Sequence, residues 1–127
     1  MSDKPDFSFF VPGTPASKGS LNKGRNGNLY PSDPKLKAWA HAVAWHARIA
    51  APQAPPTTEP IEINILFKLP GGINVHTKKP DLDKLIRAIL DSLTGIVYKD
   101  DCQVWNIHAS KVYSTEPGAK ITVGYWK

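Results

Sequence analysis

Between Ile61 and Leu93 the apolar residues change their spacing, and that change constrains the fold more than any other feature of the sequence. Ile61, Ile63, Ile65 and Phe67 alternate with Glu62, Asn64, Leu66 and Lys68, the period of a strand with one face on a core. Pro70-Gly71-Gly72 ends it. Leu82, Leu85, Ile86, Ile89, Leu90 and Leu93 then recur at three- and four-residue spacing, which predicts a helix burying that face and leaving Lys84, Arg87, Ala88 and Asp91 away from it. A half-buried strand followed by an amphipathic helix places the chain among mixed α/β domains.

The start of that helix carries the chemistry. Pro80 disfavours helix at Lys79, so the approach is extended, and either Asp81 or Asp83 can cap the free amides of the first turn. Residues two apart in an extended segment point the same way, so both aspartates can face one point while Leu82 turns inward. Gly95 stands where a left-handed helix stop belongs, and a second acidic pair, Asp100-Asp101, follows closely enough to return to the first. Three carboxylates brought together repel by roughly 4 kcal/mol per pair at about 4 Å and an effective dielectric near 20, unless a cation sits between them. Hard oxygen donors beside Lys78, Lys79, Lys84 and Arg87 point to magnesium, with manganese as a substitute, acting on a phosphate. A purely structural reading fits the same letters: one aspartate as N-cap, the other favouring the helix dipole, and Asp83, Arg87 and Asp91 as spaced ion pairs.

Asp81-Leu82-Asp83-Lys84-Leu85, an aspartate-containing helix, and Asp100-Asp101-Cys102-Gln103-Val104 one helix and turn later resemble the RusA family of Holliday junction resolvases. That family carries Asp-Leu-Asp-Asn-Leu and a downstream Asp-Asp-x-Gln-Val. The resemblance covers the second half of the chain well and the first half loosely. Lys84 replaces the usual asparagine, and Arg87 stands where the family's catalytic lysine falls. The resemblance implies a metal-dependent endonuclease that resolves four-way DNA junctions by paired nicks in recombination and repair. It further implies a cytoplasmic homodimer of prokaryotic or phage origin, with Asp81, Asp83 and Asp101 as magnesium ligands and Arg87 as the catalytic cation. The family places the essential acid second in the downstream pair. An extended run from Lys99 into Gln103-Val104 lets only one of the two face Asp81 and Asp83, because neighbouring side chains then point opposite ways, and the resemblance makes that one Asp101.

Elsewhere, Phe7 to Val11 reads as a first strand stopped by Pro12-Gly13. Thr14 to Tyr30 holds Lys18, Lys23 and Arg25 among glycine, serine and asparagine. This predicts a mobile basic loop, either solvated or tracking a DNA backbone. Asp33-Pro34 opens an alanine-rich helix to about Ala51 that buries Leu36, Trp39, Ala40, Val43 and Ala47. His41 and Trp45, on another of its faces, read as packing residues, and His76, placed by the chain near the site, is not read as a chemical group. Proline-rich Ala51 to Pro60 is a spacer. Val104 to Val112 and Lys120 to Trp126 read as strands joined by Ser114–Gly118 into a hairpin. The expectation is one α+β domain over residues 1–127, ordered β-α-β-α-β-β, with a mixed sheet and two helices.

A net charge of +5 favours a polyanionic partner, and Lys78, Lys79, Lys84, Lys111 and Lys120 extend the basic face. The single cysteine, Cys102, excludes an intramolecular disulfide, and four histidines without a second cysteine argue against zinc. With no leader and no long apolar run, the chain reads as cytosolic and without a membrane partner. Two rivals remain at this stage: a non-catalytic junction or nucleic-acid-binding protein of the same fold, and a basic protein that binds RNA or a protein partner and uses its acids only as helix caps.

Overall fold

The computed structural model of the chain describes residues 4–17, 22–23, 29–30, 34–51, 56–72 and 74–126. Within them the elements run β1 (Phe7–Pro12), β2 (Asn22–Lys23), β3 (Leu29–Tyr30), α1 (Pro34–Ala50), β4 (Ile61–Leu69), α2 (Leu82–Leu93), β5 (Val104–Tyr113) and β6 (Gly118–Tyr125). Setting aside the two-residue strands, this is the order expected from the sequence.

β1, β6, β4 and β5 form one mixed sheet in that spatial order, with β4 parallel to β5 and antiparallel to β6, and β6 antiparallel to β1. The alternation in β4 is realised in full: Ile61, Ile63, Ile65, Phe67 and Leu69 are buried. Register extends this apolar face across the sheet, because residues directly opposite share a face. Ile63 lies between Val123 and Ile107, Ile65 lies between Ile121 and Ala109, and Phe9 lies opposite Ile121. Trp39, Val43 and Ala47 of α1 and Leu85, Ala88, Ile89 and Leu93 of α2 join the same core. The opposite sheet face is mainly polar, carrying Ser8, Thr122, Lys120, Asn64, His108 and Ser110.

Four expectations change. β5 and β6 are not a hairpin: β4, the most apolar strand, lies between them. A strand reached through a crossover helix pairs parallel to the strand before it, so β5 takes one side of β4 and leaves the other to β6. The link crosses the end of β4, where the Ser114 amide donates to Leu69 O (2.8 Å) and the Gly13 amide to Pro117 O (3.1 Å). Ala88 is buried rather than outward: it belongs to the same core as Trp39, Val43 and Ala47 of α1, which packs against α2. The Thr14–Tyr30 stretch is not wholly loop, since Asn22 pairs with Tyr30 and Lys23 with Leu29. The proline-rich spacer is tied down at its end: Thr57 is buried and bridges Tyr98, its amide donating to Val97 O and its carbonyl accepting from Lys99 N. Asp33, the expected cap of α1, lies outside the described residues.

Candidate active site

The end of β4, the approach segment and the first turn of α2 meet at Asp81. Its backbone is extended (φ −69°, ψ 141°) and occupies the N-cap position, and its carbonyl accepts the Leu85 amide at 3.1 Å. Its carboxylate, however, makes no capping hydrogen bond. The side chain that most often satisfies the first-turn amides is left out of that role. It contacts Lys84 Nζ at 3.7 Å, with both groups nearly half exposed, a geometry that contributes little to stability. Asp83 is exposed in the same turn, as is Arg87 one turn on, and among the described residues the side chains of these two form no ion pair with each other. Side-chain capping by Asp81 and an Asp83–Arg87 ion pair, two parts of the structural reading, are therefore absent here.

Lys78 and Lys79 are exposed on the approach segment. Lys111, expected on a DNA-facing surface, instead turns its ammonium onto this segment, donating to Lys78 O at 2.6 Å and Pro80 O at 2.7 Å. His76 is buried and packs against Tyr113 with ring centroids 4.6 Å apart. Burial, then the charges of Lys111 and Lys78, holds its pKa below the ordinary histidine value. Lys120 is exposed on the polar sheet face, opposite Phe10 and Leu66. Lys23 belongs to β2, and Lys18 and Arg25 lie outside the described residues.

The downstream acids do not enter β5 in extended form. Asp101–Gln103 is a single 3-10 turn, and Asp100 is its N-cap, accepting from the Cys102 amide at 3.0 Å. That amide, followed by the Cys102 side chain, holds the Asp100 carboxyl below the usual range. The alternation argument for choosing between Asp100 and Asp101 therefore fails. A different one replaces it: both are exposed, but the Asp100 carboxylate is committed to the cap, whereas Asp101 is the first residue of the turn. Gln103 completes the motif. Its side-chain oxygen accepts from the Lys99 and Asp100 amides (3.0 and 2.9 Å), and its amide nitrogen donates to Thr57 O and Glu59 O, both at 2.9 Å. No role for Gln103 was read from the sequence, although Asp100-x-x-Gln103 is a capping-box spacing.

The two acidic pairs do not meet within one chain. α2 has twelve residues and so rises about 18 Å between them. Asp81 sits at its start. Asp101 lies beyond its end, where its charge, with that of Asp91 and after the larger effect of burial, raises the pKa of the Tyr98 hydroxyl. That hydroxyl donates to Leu90 O in the last turn at 2.7 Å. Among the described residues no three acidic, histidine or cysteine side chains lie close enough to hold a metal ion. The expected return of Asp100-Asp101 to Asp81 and Asp83 is thus corrected: Gly95 (φ +85°) and the Tyr98 bridge to Thr94 and Thr57 hold the connection at the far end of the helix.

A compact α+β domain with two carboxylates at a helix start that cap no helix amide, one of them beside Lys84, is suited to binding and acting on phosphate esters. Comparison with known proteins makes the class specific. Residues 12–124 match the family of endodeoxyribonuclease RusA, and the chain belongs to that family. It is also 30% identical, over 91% of its length and 93% of the relative's, to the uncharacterized protein YqaN of Bacillus subtilis (strain 168). The family is one of endodeoxyribonucleases of the Holliday junction resolvase type. No helix among the described residues is long and apolar enough to cross a membrane.

Proposed function

We propose that this protein is a magnesium-dependent endonuclease that resolves four-way DNA junctions by paired nicks, acting in the cytoplasm as a homodimer. The observation that carries this reading is the state of Asp81: an aspartate at an N-cap position whose carboxylate does not cap. The donor set fits a hard divalent cation, which takes carboxylate oxygens and is met here by Asp81, Asp83 and Asp101. Bound there, magnesium supplies an activated water and charge neutralisation at the phosphate. Arg87, one turn beyond Asp83 on the same side of α2, adds a fixed positive charge where negative charge builds up during in-line attack. Lys78, Lys79 and Lys84 draw the DNA backbone to the site, together with Lys18, Lys23 and Arg25.

The separation of the acids makes the dimer part of the chemistry. β5 is an edge strand, with Trp105 and Ile107 exposed near its beginning. Its far end is flanked by residues 74–76, which lead to Asp81. Two copies meeting antiparallel along β5 bring the start of one strand to the end of the other, and so the partner's Asp101 toward Asp81 and Asp83. Two such sites related by a two-fold axis suit a substrate that must be nicked on two strands.

The test is cleavage of a labelled four-way junction against linear duplex of the same sequence, with and without magnesium. Junction-selective, magnesium-dependent nicking is expected. Folded protein that binds junctions but never nicks them in magnesium or manganese would instead support a binding protein of the same fold.

A further inference from the structure

We propose that Lys111 is a positioning residue for the acidic site, holding the backbone that presents Asp81, and does not itself contact DNA. This rests on the nuclease reading and adds to it a role that neither lysine's charge nor surface position announces. Lys111 lies near the end of β5, half-buried, opposite Phe67 of β4. Its ammonium donates to the carbonyls of Lys78 and Pro80 at 2.6 and 2.7 Å, using two of its three N–H donors on one short stretch of chain. Its own carbonyl accepts the His76 amide at 3.1 Å, while Tyr113 N donates to Asn74 O at 2.9 Å. From residue 74 to Pro80 the approach segment is therefore fastened to the end of β5, and Lys111 supplies the fastenings nearest the acids.

The consequence falls on Asp81. Its carbonyl is fixed from the helix side by the Leu85 amide, and Pro80, the residue before it, is fixed from the sheet side by Lys111. Asp81 has no capping bond to orient its side chain and only a half-exposed contact with Lys84 at 3.7 Å, so these two backbone anchors set the position from which its carboxylate projects. A charge-assisted donor serving two carbonyls is stronger than a neutral one. Removing it leaves two carbonyls without partners and frees a segment that has few apolar contacts of its own. A nuclease that depends on the placement of a carboxylate then loses turnover before it loses affinity.

The experiment compares wild type, Lys111→Met, Lys111→Arg and Lys79→Ala in two measurements. Backbone hydrogen exchange, read by mass spectrometry without DNA or metal, tests the clamp whether or not the protein is a nuclease. Lys111→Met should exchange several-fold faster over residues 76–85, with β4 and α1 unchanged, and Lys111→Arg should restore most of the protection. Junction cleavage should show kcat at least tenfold lower for Lys111→Met at saturating DNA, with junction affinity in chelator within twofold of wild type. Lys79→Ala should instead weaken binding and make its salt dependence shallower. Unchanged exchange in Lys111→Met would overturn the proposal, as would weaker binding with a salt slope shallower by about one and kcat intact, since that is the mark of a phosphate contact. Failure of wild type to nick, with the exchange difference present, would refute the nuclease reading and leave the clamp standing.

Discussion

Aspartates that precede helices usually serve them, and the residues of this site divide on that point. Asp100 serves: it accepts the Cys102 amide and opens a turn. Asp81 stands in the same position at a longer helix and does not. The division predicts how substitutions separate. Asp83→Asn should abolish junction cleavage, leave junction binding in chelator intact, and cost at most about 0.5 kcal/mol, the loss of one favourable charge at a helix start. A large fall in melting temperature with cleavage retained would return Asp83 to a structural role. Asp101→Asn should stop cleavage without loss of stability. Asp100→Ala should cost about 1 kcal/mol, the usual value of a lost cap, and lower activity only modestly. Thermal melts and cleavage assays on the two variants side by side check both statements, and an inactive Asp100→Ala beside an active Asp101→Asn would contradict them.

At the scale of elements, β4 and α2 were legible because their periodicities need no partner to be read: the alternating residues of β4 are buried, and of those recurring in α2 Leu85, Ile89 and Leu93 are buried while Leu82, Ile86 and Leu90 are half-buried. Gly95 was legible for a similar reason, since a left-handed backbone there (φ +85°) favours glycine. What the sequence did not show was set by pairing. Nothing in β5 or β6 says that β4 will lie between them, and nothing in Ala88 says that α1 crosses at that point. The 3-10 turn was missed because Asp-Asp-Cys-Gln was read as the beginning of a strand, although it holds a capping box. Gln103, which accepts from the Lys99 and Asp100 amides and ties the turn to Thr57 O and Glu59 O, should therefore matter more for stability than its partial exposure suggests. Gln103→Ala is expected to destabilise the protein by about 2 kcal/mol or more, because two carbonyls and two amides lose their partner together. Chemical denaturation measures it, and a change under about 0.5 kcal/mol would show that water replaces the side chain.

For the whole molecule, the family pattern names the acids and says nothing of where they lie. Read along the sequence, Asp81, Asp83 and Asp101 look like neighbours. In the fold, α2 stands between them. On the proposed reading, acidic groups that sit at opposite ends of a helix are brought together by another copy, and that is the central claim. Mixing two inactive variants tests it directly. In dimers that pair Asp83→Asn with Asp101→Asn, a shared site leaves one of the two centres with all its acids native, whereas a site built within one chain leaves neither. After the two proteins are unfolded together and refolded at equal concentration, junction nicking should reappear at about a quarter of the wild-type level, since half the dimers are mixed and each has one intact centre. Persistent inactivity in a mixture shown to contain mixed dimers would contradict the account.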